Sequence, residues 1–160
     1  MKKTLFLDMD GVLVDLWGHI PNCASRSINV HDLDNMPEGF DNTRFWEMLD
    51  RLPWADELVH LCKHNFETYI LTTPCGPASI VGKFTWVKCW YPELLNHLIF
   101  TSHKQLLAAP LRILIDDDPA HCSSFVLYGG TSIRIPNPIR FPNLPEIDMD
   151  NVMSTLKTLA

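Results

Sequence analysis

The alternation of short apolar runs with helical patterns constrains this chain more than any other feature. Thr4-Leu-Phe-Leu7, Glu67-Thr-Tyr-Ile-Leu-Thr72, His97-Leu-Ile-Phe-Thr101, Leu111-Arg-Ile-Leu-Ile-Asp116 and Thr131-Ser-Ile-Arg-Ile135 are short and aliphatic, β-branched or aromatic, as strands are. Most of them end in, or just before, a hydroxyl or a carboxylate. Between them, Asp56 to His64 reads as a helix with Leu58, Leu61 and Cys62 on one face behind Pro53. Ala78 to Trp90 reads as another, with Ile80, Phe84 and Val87 at i, i+4 and i+7. Strands alternating with helices predict an α/β domain with a parallel sheet covered on both faces. Ligands bind such sheets beyond the carboxyl ends of the strands, where Asp8, Thr72, Thr101 and Asp116 to Asp118 would stand together.

The stretch from Leu16 to Leu52 breaks the alternation. It holds Gly18, Pro21, Pro37 and Gly39 and one helical pattern, Thr43 to Leu49, that carries Phe45, Trp46, Met48 and Leu49. An insertion over the sheet edge is expected, with a core of residues 1–15 and 53–160 and a small helical cap of residues 16–52 that acts as a lid. With 160 residues, 46% apolar and 20% charged, the chain is one domain's worth of folded protein. A net charge of −6 provides no basic field for a nucleic-acid polymer or an anionic membrane surface.

Lys2 and Lys3 precede only Leu5, Phe6 and Leu7 before Asp8 interrupts, too short a run for a signal sequence, and no stretch approaches a membrane span. Cys23, Cys62, Cys75, Cys89 and Cys122 are odd in number and widely spaced, which suits reduced thiols. A cytoplasmic protein is therefore expected; the sequence leaves room for a homodimer.

Asp8, Asp10 and Asp15 crowd the end of the first strand, and burying carboxylates is costly unless cations or hydrogen bonds receive them. An EF-hand loop counted from Asp8 fails, because its fifth, sixth and twelfth positions are Val12, Leu13 and His19. A glycosidase pair normally faces across the scissile bond from separate elements. Phosphoryl transfer fits better. A carboxylate with a pKa of about 4 is ionised at neutral pH and needs only a cation to approach a phosphate dianion. Mg²⁺ takes one or two carboxylates plus substrate phosphate, and Asp10 could then serve as acid and base. The same residues could instead merely open a turn before Gly11. Asp116 and Asp117 would add acidic ligands, Lys104 a fixed positive charge, and Thr72 and Thr73 hydroxyl donors to phosphate.

Through Leu7-Asp-Met-Asp-Gly-Val-Leu-Val-Asp15, Tyr69-Ile-Leu-Thr-Thr-Pro74, Lys104 and Ile113-Leu-Ile-Asp-Asp-Asp-Pro119, the chain resembles the haloacid dehalogenase (HAD) superfamily of phosphohydrolases from Lys3 to about Ile135. The resemblance implies a Rossmann-like HAD core and Mg²⁺ as cofactor. It also implies Asp8 as nucleophile and Asp10 as the acid/base that offers its backbone carbonyl to the metal. Thr72 and Lys104 would bind phosphate, and Asp117 or Asp116 would be the third protein ligand, with Asp117 favoured and Asp116 orienting Lys104 or a metal-bound water.

Within the superfamily the chain looks most like the 5′(3′)-deoxyribonucleotidases, through Phe45-Trp-Glu-Met-Leu-Asp-Arg-Leu-Pro53, Thr72-Thr-Pro74 and Lys83-Phe-Thr-Trp-Val87. This implies hydrolysis of (deoxy)ribonucleoside 5′-monophosphates through a phospho-aspartate, with Phe45 and Trp46 of the cap near the base. The alternatives are the same chemistry on another small phosphometabolite or a phosphopeptide, or an inactive Mg²⁺/phosphate-binding partner subunit. Thr73 stands where that family usually has Ser, Cys75-Gly76 where relatives can supply a Lys, and Leu16 where an aromatic often holds the base.

Other features point away from chemistry. Neither Cys75 nor Cys89 has the Arg six residues on that a cysteine phosphatase needs, since Val81 and Leu95 stand there. His60 and His64 read as a solvated pair, and Gly129-Gly-Thr-Ser132 lacks the lysine of a phosphate loop. Asp148-Met-Asp150 reads as a helix start.

Overall fold

The structure, a computed structural model, describes residues 2–20 and 39–160; the part of the expected cap that contains Pro21, Cys23 and Pro37 lies outside the described residues. Five parallel strands form one sheet in the order β3-β2-β1-β4-β5, where β1 is Thr4–Leu7, β2 Glu67–Thr72, β3 Leu98–Phe100, β4 Arg112–Asp116 and β5 Thr131–Arg134. The first strand is central, and its side chains alternate between two cores. Leu5 and Leu7 enter the larger one, while Phe6 joins Leu71, Leu114 and Phe125 in the smaller. The register sets Leu7 opposite both Ile70 and Ile115, so Asp8 comes level with Asp116 and one residue short of Thr72. Two outer strands are shorter than their apolar runs: β3 omits His97 and Thr101, and β5 stops before Ile135.

The helices are α1 (Thr43–Glu47), α2 (Ala55–Asn65), α3 (Pro77–Trp90), α4 (Pro119–Leu127) and α5 (Met149–Leu159). Asp148 caps α5 by accepting from the Asp150 amide at 3.0 Å, as its position suggested, and Val152, Met153 and Leu156 are buried. Among the described residues no helix is long and apolar enough to cross a membrane.

The inward face of α3 differs from the one its aliphatic spacing predicts. Ile80 and Phe84 are 40% and 45% exposed; the buried stripe is Ser79, Gly82, Lys83, Trp86 and Val87, with only Val87 in common. The cause is the close crossing of α1. A Cβ on Gly82 would stand 2.6 Å from the Thr43 carbonyl oxygen and would run into Trp46, so the helices approach only where α3 has no side chain. Two buried indoles fasten this corner, Trp46 donating to the Phe40 carbonyl at 3.0 Å and Trp86 to the Leu49 carbonyl at 2.8 Å.

The two ends of the 16–52 segment meet beside the core. Asp15 N donates to the Asp50 carbonyl and Leu52 N to that of Leu13, both at 2.9 Å, so the chain leaves and re-enters at one place.

Candidate active site

Asp8 follows the last residue of β1 and is 5% exposed. Its Oδ1 accepts from Lys104 Nζ at 2.6 Å, and the same ammonium donates to Asp116 Oδ2 at 2.7 Å. Lys104 comes from the 3-10 turn Lys104–Leu107 that follows β3, and Asp116 ends β4. Both oxygens of Asp116 are engaged: Oδ1 accepts from the Asp118 amide at 2.9 Å, and His121 Nδ1 lies 3.2 Å from Oδ2. Asp117, 1% exposed, accepts from Asn137 Nδ2 at 2.5 Å, and Arg140 approaches it at 3.4 Å while pairing with Asp118 at 2.8 Å. The Arg140 guanidinium lies over the rings of Trp17 and Phe141.

One oxygen each from Asp8, Asp116 and Asp117 fall within 4.8 Å of one another. Three hard oxygen donors at that spacing fit Mg²⁺. Gly11, at φ +81°, lets the turn press against this cluster, for a Cβ there would lie 2.8 Å from both Asp117 Cγ and Asn137 Nδ2.

The fields within the cluster oppose one another. Burial, with the charges of Asp116 and Asp10, pushes the Asp8 carboxyl up to about 6 against the pull of Lys104. Burial and the charge of Asp116 likewise raise Asp117. Burial works on Asp116 too, but Lys104 and His121 outweigh it and hold that carboxyl below the usual range. Burial disfavours the Lys104 charge, yet Asp116 and Asp8 keep its pKa above the ordinary lysine value.

A cation must displace the protons that Asp8 and Asp117 retain, so metal affinity is linked to pH. The Asp8 carboxyl lies at about 6, so Mg²⁺ affinity measured by calorimetry is expected to climb between about pH 5 and pH 7 as it ionises, and the raised Asp117 adds to the dependence in the same direction. A flat profile would mean that neither carboxyl is a ligand.

On the β2 side of Asp8, Asp10 turns toward Lys83, whose ammonium donates to Asp10 Oδ2 at 2.5 Å, Thr72 Oγ1 at 3.0 Å and the Thr73 carbonyl at 2.8 Å. Lys83 is fully buried and stands 4.9 Å from the centre of the Trp46 ring. Asp10 Oδ1 is buried and has no hydrogen-bond partner among the described residues. Thr73 Oγ1 donates to the Thr101 carbonyl at 3.4 Å. Burial pushes the nearby Cys75 thiol up to about 11, which keeps it protonated at neutral pH.

Asp8, Asp10, Thr72, Thr73, Lys104, Asp116 and Asp117 thus gather at the carboxyl edge of the sheet. Asp15 stands apart and accepts from the Gly18 amide at 2.9 Å. Trp46 is wholly buried, with Lys83 over its ring, and half-buried Phe45 packs edge-on against it at 5.3 Å.

Four residues join the site that residue-level reasoning did not place there: Lys83, His121, Asn137 and Arg140. Lys83 lay off the helical face that the aliphatic spacing suggested. Asn137 and Arg140 follow β5, and Pro136-Asn-Pro138, just past a strand's carboxyl end, was the available signal.

No family model matches the chain. Curated proteins similar to it are named "Putative 5'(3')-deoxyribonucleotidase", among them one from each of two staphylococcal species. The one from Staphylococcus epidermidis is 28% identical over 143 residues, covering 78% of this chain and 79% of that protein. The one from Staphylococcus aureus is 26% identical, covering 78% of each. Among solved structures, a haloacid dehalogenase-like family hydrolase from Xanthomonas campestris superimposes over 99% of this chain and 91% of its own, with a TM-score of 0.67 at 11% identity. A HAD-family enzyme from Bacteroides thetaiotaomicron, in complex with magnesium and inorganic phosphate, covers 85% of this chain and 95% of its own, with a TM-score of 0.50 at 12% identity. The chain therefore has the fold of the HAD hydrolases, and its sequence resembles proteins named for 5′(3′)-deoxyribonucleotidase activity.

Proposed function

We propose that this protein is a Mg²⁺-dependent phosphatase of the cytoplasm that hydrolyses (deoxy)ribonucleoside 5′-monophosphates to nucleoside and inorganic phosphate. The observation that carries the reading is the buried ion-paired set Asp8–Lys104–Asp116, with Asp117 on one side and the unpartnered Asp10 Oδ1 on the other. The names of the sequence relatives point to the nucleotide class.

In this reading a carboxylate oxygen of Asp8 attacks phosphorus, and the phosphorus–ester oxygen bond breaks. The departing oxygen takes a proton from Asp10, giving the nucleoside hydroxyl and a phosphoryl group on Asp8. Water then attacks that phosphorus, passes a proton back to Asp10, and releases phosphate and the Asp8 carboxylate. Lys104 fixes Asp8 and offsets its charge as the phosphate dianion approaches. Thr72 ends β2 and Thr73 follows it; the Thr72 hydroxyl can donate to a phosphate oxygen, and that of Thr73 can do so by exchanging its long bond to the Thr101 carbonyl for one to phosphate.

Mg²⁺, held by Asp8, Asp117 and the Asp10 backbone carbonyl, would neutralise charge on the transferring group. Asp117 suits ligation better than Asp116, whose two oxygens are already taken by Lys104, His121 and the Asp118 amide.

A second reading keeps the chemistry and exchanges the nucleotide for another small phosphomonoester. It draws on the burial of Trp46, which offers no open ring face for a base. An inactive binding subunit is disfavoured, since binding alone gives no reason to bury an unpaired Asp10 oxygen.

A panel of phosphomonoesters assayed with Mg²⁺ and with chelator decides among these. Release of phosphate from nucleoside monophosphates at ten or more times the kcat/KM of sugar phosphates is expected, with loss of activity on chelation (about 1.4 kcal/mol of discrimination). Equal rates across the panel would favour the second reading. No release from any ester would overturn the phosphatase assignment.

A further inference from the structure

We infer that Lys83 is a positioning residue for proton transfer: it fixes which oxygen of Asp10 carries the proton and which way the Thr72 hydroxyl points. The inference rests on the phosphatase reading and concerns a residue to which that reading gives no task.

An ammonium only donates. Lys83 is fully buried, and its three protons meet three acceptors: Asp10 Oδ2, Thr72 Oγ1 and the Thr73 carbonyl. The carbonyl oxygen of a carboxylic acid accepts better than its hydroxyl oxygen, so the bond from Lys83 to Oδ2 favours the neutral, acidic form of Asp10 with its proton on Oδ1. That is the oxygen left buried without a partner among the described residues. A buried polar atom without a protein partner calls for an explanation, and a substrate oxygen that completes it is one.

The same ammonium sets the threonine. A hydroxyl has one proton to give and two lone pairs to accept with. Because Thr72 Oγ1 accepts from Lys83, its own proton is turned away from the ammonium and is available to a phosphate oxygen. One side chain thus orders the proton donor to the leaving oxygen and a hydrogen-bond donor to the phosphate. The ring of Trp46 lies 4.9 Å from the buried ammonium.

In the step concerned, the phosphorus–ester oxygen bond breaks as the bond from Asp8 oxygen to phosphorus forms. The electron pair of the broken bond goes to the leaving oxygen, which takes the Oδ1 proton and leaves Asp10 ionised beside Lys83. How much this proton matters depends on the leaving group. A nucleoside alkoxide cannot depart without it, whereas 4-nitrophenolate can.

The test compares kcat/KM, which reports the first phosphoryl transfer, for a nucleoside 5′-monophosphate and for 4-nitrophenyl phosphate in the wild type and in Lys83→Met. The expected result is a loss of about 10²-fold or more for the nucleotide and of tenfold or less for the aryl ester. Lys83→Arg, which restores a donor to Oδ2, should recover part of the nucleotide activity. Melting curves with and without Mg²⁺ show whether each variant is folded, and Lys83→Gln supplies the same comparison should Lys83→Met fail to fold. A purely structural role would lower both substrates by one common factor, and that result would overturn the inference while leaving the phosphatase reading intact. A wild type inactive on both esters would overturn the reading and the inference with it.

Discussion

Asp8→Asn is expected to abolish phosphomonoester hydrolysis while leaving a protein at least as stable as the wild type at neutral pH. The amide has no anion to attack phosphorus, and loss of a covalent nucleophile typically costs on the order of 10⁴ to 10⁶ in turnover. Its carbonyl can still accept from Lys104, so the geometry around that ammonium need not collapse.

The stability side follows from burial. Asp8 is raised from 3.8 to about 6, so the folded chain holds a proton there more tightly than the unfolded chain does. That carboxyl therefore costs stability above about pH 6 and costs nothing below its unfolded value. Asparagine carries no such penalty. A gain on the order of 1–3 kcal/mol is expected near pH 7.5 without metal, fading as the pH falls toward 4. Chemical denaturation of both proteins at the two pH values, alongside phosphate release, checks both halves. A folded Asp8→Asn protein that keeps most of its activity would remove Asp8 from the mechanism.

Lys104→Met should have the opposite signature, damaging fold and function together. Lys104 is 2% exposed and neutralises two buried carboxylates; without it Asp8 and Asp116 lose the cation they share, and Arg140 beside Asp117 and His121 beside Asp116 do not reach between them. Breaking a buried ion pair by removing one partner costs about 3–5 kcal/mol. In the variant, carboxyl pKa values rise further in the folded state, so the deficit is largest at alkaline pH and shrinks as acid protonates them. Added Mg²⁺ should recover part of the lost melting temperature, because it binds the folded state alone. Turnover is expected to fall by about 10² to 10³ through loss of a preorganised charge at the phosphate. A variant that melts like the wild type at pH 8 would show that the three carboxyls are not held close when ionised.

The residues that could be read from the sequence are those whose position depends on the backbone alone. Asp8, Thr72 and Asp116 end or follow strands of one parallel sheet, and parallel register brings such ends to one edge whatever the side chains do. Lys104 follows the third strand by the same rule. Lys83 could not be found this way, because its direction depends on how α3 rolls against α1. That roll is set by the missing side chain at Gly82 rather than by the aliphatic residues, which therefore point outward at Ile80 and Phe84. A lysine amid apolar helix residues is also ordinarily a solvated one, with its stem along the surface. Asn137 and Arg140 lie in a loop without periodicity, and Pro136-Asn-Pro138 marks only that a turn follows β5, not that its side chains reach Asp117. Trp46 shows the converse: its aromatic character was plain, but whether the ring meets a ligand or a lysine depends on packing.

The central place of β1 divides the labour of the site. Lys83, Thr72 and Thr73, the groups that gather against Asp10, come from β2, the residue after it and the following helix. Everything that surrounds the candidate cation position on the far side, Asp116, Asp117, Asn137 and Arg140, comes from β4, β5 and their loops. The two halves communicate through the turn that carries Asp8 and Asp10 and through Lys104, which reaches in from the far end of the sheet. Substitutions within one half should be strongly non-additive, whereas pairs drawn from opposite halves should combine independently. In the proposed reaction such an arrangement would let the choice of cation and the choice of leaving group change separately, because the residues that would govern each belong to different strands.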